Sequence, residues 1–309
     1  MLSDLSDHPC LICGERTDLI GSRLGRHIQR PFHFRRCRAC DFVFVVDPVD
    51  DLSAVYDENY YQGRGADPSV RYTLELEHPD QVSRRFEWRG IVAALEKQSG
   101  PLSGQAWLDL GCGNGGLVRY ARKLGLNCRG AEDGWIAEQA RREYGIPIMP
   151  LADLEHQAEC YDLITAVEVI EHTPDPLAFL TLVRRLLKPG GLFWYTTGNS
   201  RPFLNNFLNW SYAVPEVHLS FFNPKAMALA LEKSGLTPLA GNQSLTGLDY
   251  CIWFKILKTL KLNCWPRSGR WGELVSRLTR PLIHAAANLV DRRYQFSRLP
   301  LGRRPVSPD

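Results

Sequence analysis

The sequence predicts an α/β protein with a mainly parallel sheet and helices on both faces, preceded by a small zinc-ribbon-like module. Three observations predict it. From Gln105 onward, strand-like and helix-like segments alternate, the pattern of successive βαβ units. Within that stretch the apolar strand around Trp107-Leu-Asp109-Leu runs into Gly111-Cys-Gly113-Asn-Gly115-Gly116 and then into a helix-compatible segment, Leu117 to Leu124. Near the N-terminus two Cys-x-x-Cys pairs, Cys10/Cys13 and Cys37/Cys40, are separated by 23 residues, with strand-like flanks at Phe32 to Arg36 and Asp41 to Val46.

Composition sets the broad class. A chain of 309 residues with 44% hydrophobic and 23% charged residues has ordinary globular proportions and can bury one large core or two modest ones. Its longest apolar stretches, such as Leu180 to Leu187 and Ile252 to Leu262, are interrupted by Arg or Lys and fall short of the ~20 residues that span a bilayer, so no transmembrane segment is expected. Met1 to Pro9 carries acids and no apolar run, so a cytoplasmic protein without a secretory leader is expected. The nine cysteines agree, since four form two close pairs and five are scattered. The net charge of +3 conceals an asymmetry: residues 251–309 hold 12 Lys/Arg against three Asp/Glu, leaving the first 250 residues at −6. A solvated basic face is the expected meaning, with a nucleic acid or an anionic lipid surface as the alternative.

Four regions follow: a zinc-ribbon-like module at 1–48, an aromatic and helical cap at 49–104, the alternating domain at 105–245, and a basic, mostly helical extension at 246–309. In the first, Cys10, Cys13, Cys37 and Cys40 are the candidate ligands of a structural zinc. Two knuckles favour a structural metal over a redox dithiol, and about 48 residues are too few for a self-sufficient core without metal ligation. His27 and His33, inside the insert, are expected to pack or face solvent. In the second, Tyr56, Tyr60 and Tyr61 are followed by Gln81 to Gln98, where Phe86, Ile91, Ala94 and Leu95 predict an amphipathic helix. These aromatics are expected to pack against the sheet or the zinc module.

The glycine loop satisfies GxGxG through Gly111, Gly113 and Gly115, and also the dinucleotide pattern GxGxxG through Gly111, Gly113 and Gly116. The glycines alone therefore decide nothing. Asp109 discriminates: a carboxylate at the strand end repels the pyrophosphate of NAD, yet suits the ammonium of the methionine moiety of S-adenosylmethionine (SAM).

On these residues the chain resembles the class I SAM-dependent methyltransferases, which have a Rossmann-like sheet, over about residues 105–245. The resemblance implies a cofactor site built from Asp109, Gly111, Cys112, Gly113 and Asn114, with Glu132 on the ribose hydroxyls, Asp153 on the adenine amino group, the Leu154 amide on the ring, and Glu168 at the end of the fourth strand. That strand, Tyr161 to Glu168, leads into Val-Ile-Glu171-His172-Thr-Pro-Asp175-Pro176; a helix from Leu177 to Leu187 then ends in the chain reversal Lys188-Pro-Gly-Gly191 before a strand from Leu192 to Thr197. These runs, His218 to Pro224 and the helix from Lys225 to Ser234 are similar to a bacterial methyltransferase group often fused to a zinc ribbon and common in polysaccharide and secondary-metabolite pathways.

Glu168, Glu171 and His172 have i, i+3, i+4 spacing, so one helical turn after the strand is expected to place them on one face. Similar runs bind a divalent metal in ubiquinone-pathway O-methyltransferases and small-RNA 2′-O-methyltransferases. With His218 completing the set, Glu168, Glu171, His172 and His218 are candidate ligands of a second, divalent metal that would orient the acceptor oxygen and lower its pKa. Without metal, His172 or His218, next to Glu171, is the candidate general base.

Beyond Ser244 the resemblance fades. Tyr250 to Phe296 reads as helical, and Arg298 to Asp309 shows no convincing strand, leaving the family's seventh strand without a candidate. Trp253, Phe254, Trp265 and Trp271, interleaved with basic residues, are expected to pack or to cover the substrate cleft, with peripheral membrane contact through 250–280 as the alternative. The reading is a SAM-dependent methyltransferase acting on a small-molecule acceptor, through an oxygen of a sugar, glycolipid or secondary-metabolite intermediate. An RNA or DNA methyltransferase and a non-catalytic SAM-binding protein are the alternatives, and an NAD oxidoreductase ranks below them.

Overall fold

The computed structural model describes residues 8–51, 55–65, 72–79, 82, 84–239 and 299–306. The chain opens with an antiparallel meander of β1 (Thr17–Leu24), β2 (Pro31–Cys37) and β3 (Val43–Val45). The helices α1 (Glu58–Tyr61), α2 (Tyr72–Glu77) and α3 (Arg84–Ser99) follow. The alternating part runs β4 (Trp107–Leu110), α4 (Gly116–Lys123), β5 (Cys128–Ala131), α5 (Trp135–Tyr144), β6 (Ile148–Met149), β7 (Tyr161–Val167), α6 (Pro176–Leu186) and β8 (Leu187–Thr196). After it come β9 (Ser220–Phe221), α7 (Pro224–Lys233), β10 (Thr237–Leu239) and β11 (Leu301–Arg303).

Among the described residues the large sheet has seven strands in the order β10-β11-β8-β7-β4-β5-β6. The five strands from β8 to β6 are mutually parallel, and β11 is antiparallel to both β8 and β10. Leu163, Ile164, Thr165 and Ala166 of β7 are fully buried, as a strand covered on both faces requires. Helix starts follow local chemistry: Asp175 caps α6 and Asn223 caps α7 through their side chains, each with a proline at the first helical position. The Lys188-to-Gly191 reversal is seen as four residues looped out of β8, since Tyr161 pairs with Leu187 but Leu163 pairs with Leu192.

Two features depart from the sequence reading. The seventh strand exists: β11 lies inside the stretch read as a helical extension and fills the gap between β8 and β10. Its signal is weak because it is three residues long and contains a glycine, Gly302, where a Cβ would press within 2.8 Å of a Leu231 methyl on α7. The N-terminal sheet, in turn, takes its fourth strand from β9, giving the order β1-β2-β3-β9. Cys10, Ile12, Phe42 and Phe44 share one apolar cluster with Phe222, Met227 and Leu231, so the 1–48 module is packed into the larger domain. The helical reading of Tyr250 to Phe296 and the membrane-contact reading of 250–280 lie outside the described residues. No described helix is long and apolar enough to cross a membrane.

Candidate active site

The glycine loop leaves β4 and enters α4 with Gly111, Gly113 and Gly115 at φ of 72°, 54° and 70°, a region L side chains avoid. A Cβ at Gly111 would stand 2.6 Å from a Val169 methyl, and one at Gly116 2.2 Å from the Trp88 ring. The loop borders a partly open cleft whose walls include Asp109, Gly111, Cys112, Tyr72, Arg84 and Trp88. Asp109 is buried at the end of β4 and accepts from the Thr165 hydroxyl at 2.6 Å, which in turn accepts from the Trp107 indole at 2.9 Å. Burial pushes its carboxyl up to about 7, against the pull of the Thr165 hydrogen bond and the Arg84 charge. Glu132, just past β5, accepts from the amides of Gly113 (3.1 Å) and Asp133 (2.9 Å), and burial pushes it to about 7 as well.

The other members of the expected set are held as follows. Asn114 lines the same cleft and ties the loop to α2: its side-chain amide donates to the Tyr72 carbonyl and to Glu75 on α2, and its oxygen accepts from Gly116 at the start of α4. Cys112 lies against Gly130 with its thiol pushed well up by burial, so it packs and does not react. The short 3-10 turn Leu151–Leu154 exposes Asp153 and buries Leu154, and the Asp133 carboxylate anchors its first amide at 3.1 Å.

At the carboxyl end of β7 the chain turns sharply. Glu168 has a φ of 55°, and its amide donates to the carbonyl and hydroxyl oxygens of Thr196, each at 3.1 Å. The helical turn therefore starts only at Ile170, as a 3-10 turn to His172, and the expected shared face of Glu168, Glu171 and His172 does not form. What converges is Glu171, His172 and His218, each offering a ligand atom within 4.8 Å of the others. Glu168 joins through Tyr212, whose hydroxyl sits 2.9 Å from Glu168 and in still closer contact with Glu171. That hydroxyl also accepts from the Gly198 amide at 3.0 Å. Burial, then the Glu168 charge, pushes the Glu171 carboxyl well above the usual carboxylate range.

The two imidazoles face each other at 4.8 Å between ring centres. His172 Nδ1 lies 2.8 Å from the Val217 carbonyl, and His218 Nδ1 lies 2.5 Å from the Tyr212 carbonyl. A carbonyl can only accept, so each neutral ring carries its proton on Nδ1 and its lone pair on Nε2. Tyr56 reaches the same His172 nitrogen at 2.8 Å, which fastens the aromatic cap to this cluster.

Residues 80–240, more than half of the chain, match the family model described as a methyltransferase domain. The chain belongs to the class I SAM-dependent methyltransferases. Among relatives of this methyltransferase are the ubiquinone biosynthesis O-methyltransferases of Acinetobacter baylyi, 31% identical over 176 residues that cover 50% of this chain and 71% of the relative, and of Bordetella avium, 27% identical over 186 residues that cover 54% and 72%. Phosphoethanolamine N-methyltransferase 2 of Haemonchus contortus is similar in fold at a TM-score of 0.47, with 15% identity over 77% of this chain and 61% of that one.

SAM fits the methyltransferase's cleft on its own terms, because a buried carboxylate pushed to about 7 invites a cation and Asp109 forms no ion pair among the described residues. The N-terminal cysteines fit zinc equally well. Their sulfurs stand 3.7 Å (Cys10 to Cys40), 3.3 Å (Cys13 to Cys37) and 3.8 Å (Cys13 to Cys40) apart. Four thiolates at about 2.3 Å from a tetrahedral ion would be about 3.8 Å apart. Backbone amides already point at the sulfurs, from Ile12 to Cys10 and from Ala39 and Cys40 to Cys37. His33 lies outside this cluster, bonded to Asp47 at 2.8 Å.

Sequence reasoning missed Arg84, Thr165 and Tyr212. Thr165 had a signal, a hydroxyl inside the otherwise apolar run Leu163 to Val167. Arg84 had none, and Tyr212 finds its carboxylates only through the fold, 41 and 44 positions back along the chain.

Proposed function

We propose that this methyltransferase moves the SAM methyl group to a hydroxyl oxygen of a small molecule. One observation carries the reading: two imidazoles of defined tautomer and a buried carboxylate converge at the carboxyl end of β7, the neighbour of the strand that feeds the glycine loop. That the relatives are named as O-methyltransferases supports it. In the step itself the acceptor oxygen attacks the sulfonium methyl; the carbon–oxygen bond forms as the carbon–sulfur bond breaks, and S-adenosylhomocysteine leaves. The hydroxyl proton passes to Nε2 of His172 or His218, and the Glu168 carboxylate, joined by Glu171 as the new positive charge favours its ionised form, offsets the imidazolium charge. On the cofactor side Asp109 engages the ammonium, Glu132 the ribose hydroxyls, Asp153 the adenine amino group and the Leu154 amide the ring, while Arg84, held by Glu75 at 3.2 Å and Glu87 at 3.3 Å, offers a cation to the carboxylate.

A divalent cation fits the same cluster. Glu171 Oε2 is buried without a hydrogen-bond partner among the described residues, and both histidines rest their Nδ1–H groups on backbone carbonyls, as metal-ligating histidines do. When bound, such an ion would polarise the acceptor oxygen and lower its pKa. Glu171, His172 and His218 would hold it.

The test begins with the full-length protein, methyl-labelled SAM and a panel of phenolic, sugar and glycolipid hydroxyl compounds, scored by mass spectrometry for gain of one methyl group. On the compound that reacts, Glu171→Gln and His172→Ala should each lower turnover by about 10²–10⁴ while leaving SAM affinity near normal. Full transfer rates in both variants would overturn the assignment. Restoration of chelated enzyme by Mn²⁺, lost in Glu171→Gln, would mark the metal form of the mechanism.

A further inference from the structure

The ribbon does more than cover one flank of the sheet: besides Lys225 and Lys233, which donate to the carbonyls of Ala39 and Cys13, its polar contacts concentrate on residues 210–223. Arg23 on β1 donates from a single guanidinium nitrogen to the carbonyls of Trp210 (2.7 Å) and Ala213 (2.6 Å). These carbonyls flank Tyr212, whose own carbonyl holds His218 Nδ1 and whose hydroxyl meets Glu168 and Glu171. Four residues on, the fully buried Glu216 accepts the backbone amides of Arg26 (2.8 Å), His27 (2.7 Å) and Ile28, closing the turn between β1 and β2. Directly after His218 the chain pairs with β3, through the Val45 amide on the Leu219 carbonyl (2.9 Å) and the register Phe44 to Ser220. Asn223 then donates to the carbonyl of Cys40 in the second cysteine knuckle at 2.9 Å.

Apolar packing of Phe32, Phe34 and Phe44 against Trp210, Phe221 and Phe222 already docks the module. Beyond it, a guanidinium and a carboxylate are spent on backbone groups, one from each partner, on either side of the tyrosine and histidine that complete the cluster. We propose that the zinc-ribbon-like module is a built-in wall of the acceptor site, and that Arg23 and Glu216 are positioning residues which fix Tyr212 and thereby the tautomer and orientation of His218. The inference rests on reading His218 as an acceptor-site group, and it makes the ribbon part of the reaction chamber.

The imidazole reports directly. In full-length protein labelled with ¹⁵N-histidine, His218 (assigned through His218→Gln) should show a single Nδ1–H tautomer by long-range NMR correlation. Arg23→Ala should replace it with averaged tautomers, Arg23→Lys should restore it in part because an ammonium can still reach a carbonyl, and Glu216→Gln should weaken it. S-adenosylhomocysteine affinity should stay within about twofold of wild type in all three, as for sites that share no partner. An unchanged His218 signature in Arg23→Ala would overturn the proposal. So would loss of S-adenosylhomocysteine binding in that variant, because the ribbon would then be supporting the whole fold and not the acceptor side. Either failure leaves the O-methyl transfer reading to be judged on its own variants, since the measurement follows the ring and not the reaction.

Discussion

Replacing Asp109 by Asn should change how SAM binding depends on pH more distinctively than it changes binding at any one pH. In the empty cleft, burial moves this carboxyl from 3.8 to about 7. That displacement is roughly three pH units at about 1.4 kcal/mol each, so the ionised form is disfavoured by about 4 kcal/mol relative to water. The cofactor's ammonium needs the ionised form. Below about pH 7 binding must first remove a proton, and affinity should fall by about tenfold per pH unit. Glu132, also pushed to about 7 chiefly by its own burial and only last by the Asp109 charge, keeps its own titration in the variant, at a slightly lower pH. Stability runs the other way. Both pKa values are raised, so the contribution of these groups to the empty fold is complete below their unfolded values near 4 and is lost as pH rises through about 7. Calorimetric titration of wild type and Asp109→Asn with SAM between about pH 5.5 and 7.5 should give profiles that diverge by about one decade per unit on the acid side. Thr165→Val, which removes the hydrogen bond holding the pKa down, should move the wild-type break to higher pH. Parallel profiles for wild type and Asp109→Asn would refute the role given to Asp109.

Two further outcomes follow from geometry. Gly111→Ala places a Cβ at a φ of 72° and 2.6 Å from Val169, so the backbone alone should cost about 1–2 kcal/mol, with the clash added; a lower melting temperature and weaker SAM binding by calorimetry are expected, and a neutral substitution would contradict the loop geometry. The purified protein should carry one zinc per ribbon by elemental analysis, and Cys40→Ser should lower the melting temperature of the whole chain in one transition, because Cys10, Cys37 and Cys40 lie in the same apolar cluster as Phe222 and Leu231. A separate, early ribbon transition that leaves the main unfolding unmoved would show the module to be independent.

How far the fold could be read from the residues depended on sequence distance. The glycine loop, the helices from Leu177 and Lys225 and the Lys188-to-Gly191 reversal are written in neighbouring residues, and each was legible. The cysteine cluster was legible across 23 residues because metal ligation has few solutions. Strand β11 was not: three residues earn their place by pairing with Phe193 and Leu192, more than 100 positions away. The site divides along the same line. His172 and Glu171 follow their strand directly, whereas the turn at Glu168 was misjudged, because spacing assumes a helix and this residue takes a left-handed conformation instead. Tyr212 and Arg23 act only through the folded arrangement, so no local pattern marks them.

The neighbouring strands β10 and β11 pair antiparallel, Thr237 with Arg303 and Leu239 with Leu301, where a short turn would be enough to join them. Instead, residues 240–300 intervene. Their two ends are pinned one strand spacing apart, about 4.8 Å, by the pairing of Leu239 with Leu301. Closing a loop costs only about 0.6 kcal/mol more for each doubling of its length. The three residues that follow it carry a stricter constraint, since losing them would leave Phe193 and Leu192 at an unpaired edge.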